Sequence, residues 1–255
     1  MLNNTLTLGK RNKSLAFFDI DGTLTEGFTI FSFAEFLTKK GCFHPSCLDL
    51  MQHDRATYQG SRKGEQDYHE FAVKWVDHYA QGLKDQRADY IRSLSPSFLE
   101  SALQNQIADY RIHGFATLLV EMINPFATTI AISGSPLESL LSLTAYLGFQ
   151  EVNSTRIGIE QGCYNGQVDL NLAISESKRQ LVSSYLVDEI NGATSFAFGD
   201  SVQDVPILEV VGNAFVMGGN PELQNIGRQR GWFVSSGGDD IVSVVKDRIA
   251  LLFGG

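Results

Sequence analysis

The stretch LAFFDIDGTLT, residues 15–25, decides the fold of this 255-residue chain. Its apolar start is typical of a short strand buried inside a sheet, and the strand pattern ends at Asp19. Asp19 and Asp21 stand two residues apart, and Gly22 permits a tight turn, so both carboxylates can face one crevice. In open α/β sheets such a crevice lies at the carboxyl ends of the strands, where ligands bind.

Strand and helix signals alternate in the second half of the chain. Apolar runs that end in turn residues predict strands, and glycines between apolar flanks predict a hairpin at 155–168. The predicted strands are residues 126–133, 194–198, 213–217 and 231–235. Because helical spacing separates most of them, we predict an α/β fold with a doubly wound, mostly parallel sheet and a Rossmann-like core.

The region 28–124 has helical apolar spacing and ends at the stop signal Asn124-Pro125. No Pro- or Gly-rich linker separates it from the rest of the chain as an independent module. We therefore expect an all-helical insertion at 28–124 within an α/β core formed by residues 1–27 and 125–255.

Two helix starts are predicted at capping boxes, in which a serine is followed three residues later by a glutamate. In the second box a proline would occupy the first helical position. The two boxes are Ser97–Glu100 and Ser135–Glu138.

The composition argues against several classes of protein. Asp and Glu number 29 against 20 for Lys and Arg, which gives a formal net charge of −9. Nucleic acids and anionic membranes attract basic side chains, so neither is an expected partner. The chain has three cysteines, an odd number, and its polar start lacks the apolar core of a signal peptide. We therefore expect a cytoplasmic protein.

Polar residues end three predicted strands that the topology would bring to a single crevice. These residues are Asp19, Ser133 and Asp200, and Asp204 follows four positions after Asp200. With Asp21, the three aspartates of this group make a set of four carboxylates, which would repel one another and could not all stay ionised without a cation. A few oxygen ligands supplemented by water and substrate suit Mg²⁺ rather than Zn²⁺. The sequence therefore predicts a magnesium site.

Four segments, in order, resemble the motifs of the haloacid dehalogenase superfamily in its phosphoserine-phosphatase-like branch. The resemblance covers essentially the whole chain and implies a phosphatase or phosphomutase whose helical insertion is a cap that closes over the site. The segments are DIDGTLT at 19–25, AIS at 131–133, Lys178 and GDSVQD at 199–204, with GNPELQNIGRQRGW at 219–232 resembling the closing segment of that branch.

The resemblance implies catalytic roles for four residues. Asp19 would be the nucleophile that forms an aspartyl-phosphate, and Asp21 would be the general acid and then the general base. Ser133 would donate a hydrogen bond to a phosphoryl oxygen, and Lys178 would neutralise the charge shared by Asp19 and the phosphoryl group. Arg179 is the weaker candidate for the role of Lys178.

The resemblance also implies which residues bind phosphate and metal. Gly22 and Gly134 would contribute to the phosphate site together with Ser133 and Lys178. The Mg²⁺ ligands would be Asp19, Asp21 through its backbone carbonyl, Asp200 and Asp204, the last either directly or by orienting the others.

Two positions depart from the pattern of phosphoserine phosphatases. Phe28 stands at about the place of the acidic residue that binds the substrate amino group, and Lys74 stands where an arginine would bind the substrate carboxylate. Phe28, Phe31, Phe33 and Trp75 either line a more apolar pocket or only pack inside the cap.

The function predicted from the sequence is a Mg²⁺-dependent phosphomonoesterase that acts on a small phosphorylated metabolite. Phosphoserine phosphatase proper, a phosphotransferase or phosphomutase, and a catalytically silent phosphate-binding protein are the alternatives.

Overall fold

The computed structural model describes residues 14–61, 64–185, 189–235 and 240–254. Within these ranges the chain forms a seven-stranded sheet, a separate two-stranded pair and helices that cover both faces of the larger sheet. Nearly all of the polar start, on which the expectation of no signal peptide rests, lies outside the described residues. The α/β fold predicted from the alternation of elements is confirmed.

The large sheet has the strand order β6-β5-β4-β1-β7-β8-β9, which places β1 in its centre. Its neighbouring strands are parallel except for β5 and β6, which form the predicted antiparallel hairpin. The strands are β1 (Ser14–Phe18), β2 (Thr25–Glu26), β3 (Arg111–Ile112), β4 (Ala127–Pro136), β5 (Glu151–Glu160), β6 (Cys163–Leu170), β7 (Phe196–Gly199), β8 (Asn213–Val216) and β9 (Phe233–Val234).

Helices follow most strands of the sheet, and five more lie between β2 and β3. They are α1 (Thr29–Lys39), α2 (Pro45–Ser61), α3 (Gly64–Gly82), α4 (Ala88–Ser93), α5 (Ser95–Leu103), α6 (Ala116–Ile123), α7 (Leu137–Leu147), α8 (Ser175–Tyr185), α9 (Glu189–Thr194), α10 (Val205–Leu208), α11 (Pro221–Arg230) and α12 (Asp240–Phe253). In the described part of the chain, no helix has both the length and the apolar character that a membrane span requires.

The apolar run of β1 is explained by burial on both faces of the sheet. Successive side chains of a strand point to opposite faces. Ala16 and Phe18 pack against α6, α7 and α12, whereas Phe17 packs on the other face with residues of α8 and α10. All three side chains are fully buried, so none of these three positions is free to be polar, and the next polar residue along the chain is Asp19.

Helices α1–α5 form a cap with a second apolar core, which side chains of β5 and β6 also join. Phe31 and Phe33 of α1 and Trp75 and Tyr79 of α3 are among its buried side chains. The cap region also contains the short strand β3, which pairs with β2, so the expectation of an all-helical insertion is wrong at this point. The chain therefore enters the cap after β2 and leaves it through β3, and these two strands pair with each other.

Helix α6 falls inside the predicted insertion 28–124 but packs with the sheet. Its side chains Leu119, Val120 and Ile123 are fully buried in the same core as Phe18. The boundaries 28–124 remain a prediction, and this packing favours a shorter cap that ends before α6.

The two predicted capping boxes are wrong. Helix α5 begins at Ser95, two residues before the predicted serine, and no side chain caps it. Strand β4 continues through Pro136, and α7 begins at Leu137, again without a side-chain cap. The reason at the second site is that the Ser135 hydroxyl donates its hydrogen bond to Asp21 instead.

Glu138 in the first turn of α7 is a buried carboxyl group. Only 2% of the residue is exposed, and its Oε1 atom has no hydrogen-bond partner among the described residues. Burial raises its pKa above the ordinary value of 4.5, although nearby Tyr79, Tyr164 and Arg92 act in the opposite direction. A carboxyl group with a raised pKa binds more protons in the folded state than in the unfolded state.

We predict that Glu138 makes the protein less stable as the pH rises above about 4.5, the ordinary pKa of this group. Glu138→Gln should remove this dependence, because an amide does not ionise. The variant should therefore gain stability over wild type with rising pH, by about 1–3 kcal/mol at pH 8. Urea unfolding of both proteins between pH 5 and pH 8 measures the difference.

The exposed Glu121 of α6 provides the matched control. Glu121→Gln should leave the pH dependence of the unfolding free energy unchanged. A stability difference between wild type and Glu138→Gln that stays constant with pH would contradict the assignment.

Candidate active site

The carboxyl ends of β4, β1 and β7 carry the polar residues singled out by the sequence. These strands are parallel neighbours, so their carboxyl ends lie at the same edge of the sheet. Asp19 directly follows β1, and its backbone N–H donates to Phe198 O of β7 at 3.0 Å. Asp200 directly follows β7. The predicted crevice is therefore present, with Ser133 supplied by β4.

Lys178 of α8 lies between two of the predicted carboxylates. Its Nζ donates to Asp19 Oδ1 at 2.6 Å and to Asp204 Oδ1 at 2.8 Å. The lysine is only 4% exposed, so this contact takes place away from bulk solvent. Arg179 instead pairs with Glu209 and Glu176 with a side chain that is 44% exposed, which leaves Lys178 as the cation of the site.

The second oxygen of Asp204 is also fully engaged. Asp204 Oδ2 accepts from the backbone N–H groups of Asp200 at 3.2 Å and Ser201 at 3.1 Å, and from the Ser201 hydroxyl at 2.9 Å. The bond from the Ser201 N–H is one half of the capping box of the short 3₁₀-helix Val202–Asp204, and in the other half the Ser201 side chain accepts from the Asp204 N–H. Asp204 is thus held from both sides, and it fixes the backbone that carries Asp200.

Burial, together with the proximity of the carboxylates, raises the pKa values of Asp19 and Asp200. Burial, followed by the negative charge of Asp204, raises the pKa of Asp19 well above its ordinary value, while Lys178 opposes this rise. The same two causes, in the same order, raise the pKa of Asp200 to about 8. Burial lowers the pKa of Lys178, but the charges of Asp19 and Asp204 outweigh it, so the lysine remains a cation.

Asp19, Asp200 and Asp204 each place a carboxylate oxygen within 4.8 Å of the others. Within the described residues, the cation of this group is Lys178, which pairs with Asp19 and Asp204 but not with Asp200. A hard divalent cation would relieve this repulsion, because it prefers a few carboxylate oxygens. The residues present therefore fit Mg²⁺, with Asp19 and Asp200 as the carboxylates that have coordination capacity to spare.

The Asp21 side chain turns away from this group toward the cap. Asp21 Oδ1 accepts from the Thr29 N–H at 2.8 Å and from the Thr29 hydroxyl at 2.5 Å, and Asp21 Oδ2 accepts from the Ser135 hydroxyl at 2.5 Å. Thr29 Oγ1 in turn lies 3.1 Å from the Tyr110 hydroxyl. Because Thr29 begins α1, the carboxyl group of Asp21 is fixed by the first residue of the cap.

Burial raises the pKa of Asp21, and the hydrogen bonds from Ser135 and Thr29 lower it by less than burial raises it. A carboxyl group with a raised pKa holds a proton more readily near neutral pH, as a general acid must. The Asp21 environment is therefore compatible with proton transfer.

Ser133 lies behind the wall of the crevice. It is fully buried, and its hydroxyl oxygen accepts from the Ser135 N–H at 3.0 Å. Gly134 and Ser135 line the cavity in its place. A side chain at Gly134 would lie 2.8 Å from the Ala173 Cα, so only glycine permits this approach of β4 to the segment before α8.

Gly22 is required by both its backbone and its neighbours. Its φ of +88° lies in the left-handed region, and a Cβ there would lie 2.2 Å from Asp200 Oδ2. We expect Gly22→Ala to destabilise the fold by about 1–3 kcal/mol and to displace Asp200, with loss of any activity that depends on it. Chemical denaturation measures the first effect.

Gly41, between α1 and α2, is the matched control. Its φ is +72°, but a Cβ there would meet no atom within 4 Å. Gly41→Ala therefore carries the backbone cost alone, and Gly22→Ala should be clearly the more destabilising of the two. Equal losses of stability would mean that the contact with Asp200 has no effect.

A cavity of about 250 Å³ joins these residues to the cap. Phe28 and Trp75 line it, so these two residues belong to the pocket and do not only pack inside the cap. Phe31 and Phe33 do not line it and belong to the cap core, and Lys74 lies over the ring of Phe71 at 5.4 Å. Of the four aromatic residues and Lys74 that the sequence singles out in the cap, Phe28 and Trp75 therefore line the cavity.

Sequence reasoning missed the hydroxyl groups that hold Asp21. The spacing of Ser135 to Glu138 matches a capping box, so the sequence predicts a helix cap at Ser135 and gives no sign of its bond to Asp21. Tyr110 is 81 residues from Thr29 in the sequence, and nothing in the local pattern connects the two. Tyr58 was also missed, although its ring lines the cavity together with that of Tyr68.

Known proteins share this architecture. The chain is 23% identical to the histidinol-phosphatase of Neisseria meningitidis serogroup C over 229 residues, which cover 86% of this chain and 97% of that protein. A protein of unknown function from Bordetella pertussis Tohama I has a similar structure, with a TM-score of 0.67, 20% identity, and 88% and 98% of the two chains covered. The structure of a phospho-aspartyl intermediate analogue of phosphoserine phosphatase gives a TM-score of 0.61 at 17% identity, with 92% and 99% covered.

The model of one family matches most of the chain. This family is the haloacid dehalogenase-like hydrolases, and the match covers residues 16–209. The matched region begins in β1, includes the whole cap and ends just beyond Asp204. The resemblance drawn from the motifs is thereby confirmed: the chain belongs to the haloacid dehalogenase-like hydrolases.

Proposed function

We propose that this hydrolase is a Mg²⁺-dependent phosphomonoesterase that acts on a small phosphorylated metabolite through an aspartyl-phosphate on Asp19. The observation that carries the proposal is the buried contact of Lys178 with Asp19 and Asp204, next to Asp200. It combines a carboxylate nucleophile, a fixed cation and a metal-binding geometry in one crevice.

In the first step a carboxylate oxygen of Asp19 attacks phosphorus and the ester oxygen leaves. Lys178 stabilises the charge that Asp19 and the phosphoryl group share. Asp21 gives its proton to the leaving oxygen, and its raised pKa supports this role. The Gly134 and Ser135 segment lines the place where phosphoryl oxygens would lie, with Ser133 behind it.

In the second step water hydrolyses the aspartyl-phosphate. Asp21, now ionised, accepts a proton from that water, and a carboxylate at this position is what allows the intermediate to be hydrolysed. Asp19 and Asp200 would hold Mg²⁺ with the backbone carbonyl of Asp21, and Asp204 would orient them. When bound, the ion supplies positive charge that offsets the charge of the phosphate and of the carboxylates.

Phosphate release from a generic ester such as 4-nitrophenyl phosphate tests the proposal. We expect turnover with Mg²⁺, loss of turnover with EDTA and recovery on adding excess Mg²⁺. Including an alcohol such as glycerol as an acceptor distinguishes hydrolysis from phosphotransfer, because a transferase would form glycerol phosphate in place of free phosphate. If a broad panel of esters gives no turnover while Mg²⁺ still raises the melting temperature, the chain is a binding protein instead.

A further inference from the structure

The two side-chain oxygens of Asp21 accept different numbers of hydrogen bonds. Among the described residues, Asp21 Oδ1 accepts from the Thr29 N–H and from the Thr29 hydroxyl, and Asp21 Oδ2 accepts from the Ser135 hydroxyl. Each oxygen of a carboxylate offers about two lone-pair sites to donors. The two donors of Thr29 therefore fill the sites of Oδ1, whereas Oδ2 keeps one site for a proton.

The same two oxygens also face different surroundings. Thr29 is fully buried, and its hydroxyl lies 3.1 Å from that of Tyr110, a residue that is 1% exposed. Ser135 instead lines the cavity, as Asp21 itself does. Oδ1 is therefore turned into the protein, and Oδ2 is the oxygen on the side where the substrate would bind.

The start of the cap fixes the direction of the Ser135 hydrogen bond. The backbone N–H of Ile30 in α1 donates to Ser135 Oγ at 3.0 Å. Because an ionised carboxylate can only accept, the Ser135 hydroxyl gives its one proton to Asp21 Oδ2. The first two residues of α1 thus hold the Asp21 carboxyl group, Thr29 directly and Ile30 through Ser135.

These donors stabilise the form of Asp21 that remains after it has given up a proton. A hydrogen bond to an ionised group is roughly twice as strong as one between neutral groups. The bond from Ser135 to Oδ2 should therefore strengthen as negative charge develops on that oxygen. Loss of the serine hydroxyl would make Asp21 a weaker acid and would leave its orientation less well fixed.

We propose that Ser135 and Thr29 are positioning residues, which hold Asp21 so that Oδ2 is the atom that transfers the proton. As Asp19 forms its bond to phosphorus, the bond from phosphorus to the ester oxygen breaks and its electron pair stays on that oxygen. The proton on Oδ2 moves to the same oxygen, and Asp21 is left as a carboxylate with three donors around it. In the hydrolytic step a proton of the attacking water returns to Oδ2.

This inference rests on the proposed function, because Asp21 has no leaving oxygen to protonate unless Asp19 attacks a phosphoester. It also predicts which esters depend on the two positioning residues. An ester with a basic leaving oxygen needs the proton, whereas an ester with a weakly basic one reacts without it.

Three esters of one ring test the proposal, namely 4-nitrophenyl, phenyl and benzyl phosphate. Along this series the leaving oxygen becomes steadily more basic while the size of the ester changes little. The measured quantity is kcat/KM with Mg²⁺ present, which reports the steps up to formation of the aspartyl-phosphate. We expect Ser135→Ala to lower it by about 10- to 100-fold for benzyl phosphate and by less than about 3-fold for 4-nitrophenyl phosphate.

Two substitutions of Thr29 separate its hydroxyl group from its shape. Thr29→Val removes the hydroxyl from a side chain of nearly the same shape, so the ratio of the benzyl to the 4-nitrophenyl ester should fall by about 10-fold. Thr29→Ser keeps the hydroxyl and should keep the wild-type ratio. This pair tests the proposal even if Ser135→Ala fails to fold.

A double variant shows whether Ser135 acts through Asp21. Asp21→Asn should by itself lower the ratio of the phenyl to the 4-nitrophenyl ester by at least about 10-fold, because the amide is not a general acid. Adding Ser135→Ala should change this ratio no further, since the proton donor is already absent. A serine that bound the phosphoryl group instead would affect all three esters equally and would do so in both backgrounds.

Ser139→Ala is the matched control. Ser139 is another fully buried serine, in the first turn of α7, but its hydroxyl donates to Pro136 O at 2.6 Å. Because this bond does not involve Asp21, the variant should keep the wild-type ratios.

The outcomes separate this inference from the function on which it rests. Turnover of no ester by wild type with Mg²⁺ present refutes the phosphatase function itself. Equal losses for all three esters in Ser135→Ala, or a further fall of the ratio in the double variant, overturn the positioning role of Ser135 and leave the phosphatase function standing. A wild-type ratio in Thr29→Val overturns the role of the Thr29 hydroxyl.

Discussion

Asp19→Asn should reduce phosphate release by at least about 10⁴-fold, the scale on which loss of a nucleophile acts in other enzymes. An amide is a poor nucleophile, and it cannot form the aspartyl-phosphate that divides the reaction into two steps. The effect should appear in kcat with every ester tested, because it concerns the phosphoryl group and not the leaving alcohol. Release of inorganic phosphate with Mg²⁺ present measures it.

The same variant should fold normally. Asn has nearly the shape of Asp, and Lys178 keeps its 2.8 Å contact with Asp204. Because burial and the charges of Asp204 and Asp200 all raise the pKa of Asp19, removing the charge of Asp19 should leave the melting temperature unchanged or higher. Asp89→Asn, at a side chain that is 66% exposed on the cap, is the control and should keep full activity. Equal activity of Asp19→Asn and wild type would exclude the proposed mechanism.

The residues of the site that could be predicted from the sequence are those fixed by strand ends. Asp19 and Asp200 follow runs of apolar residues that must be buried on both faces of a sheet, and parallel strands bring such ends together. The position of Lys178 was available only through the motif order of the family. By spacing alone, neither it nor Arg179 would have been preferred, and burial of the lysine is what distinguishes them.

The remaining features depend on contacts between distant parts of the chain. Ser135 has the local pattern of a helix cap, but its hydroxyl reaches Asp21, which is 114 residues away. Helix α6 continues the helical periodicity of the cap, yet it packs on the sheet core next to Phe18. Helical spacing of apolar residues predicts that one face of a helix will be buried, but it does not predict against which core that face will pack.

Lys178→Met should cost both stability and activity. Removing the cation leaves Asp19 and Asp204 buried beside each other without a counter-charge, and breaking a buried pair in this way typically costs about 3–5 kcal/mol. Loss of the charge that stabilises the transferring phosphoryl group should lower kcat by at least about 10²- to 10³-fold. Urea unfolding in EDTA and phosphate release with Mg²⁺ measure the two effects.

Arg179→Met is the matched control, since it removes a neighbouring cation of the same helix whose side chain is 44% exposed. An exposed ion pair contributes about 0–1 kcal/mol, so this variant should lose little stability and no activity. Similar effects of the two substitutions would contradict the assignment of Lys178.

The double variant Asp19→Asn with Lys178→Met distinguishes a counter-ion from a lysine that only fills space. If the loss in Lys178→Met comes from unpaired negative charge, removing the charge of Asp19 should restore part of the stability. The two substitutions should then be non-additive, with a coupling energy of about 0.5–3 kcal/mol. Simple addition of the two single effects would mean that the lysine contributes packing alone. Recovery of stability without recovery of turnover would show that one buried contact, 2.6 Å between Lys178 Nζ and Asp19 Oδ1, serves the fold through its charge and catalysis through its nucleophile.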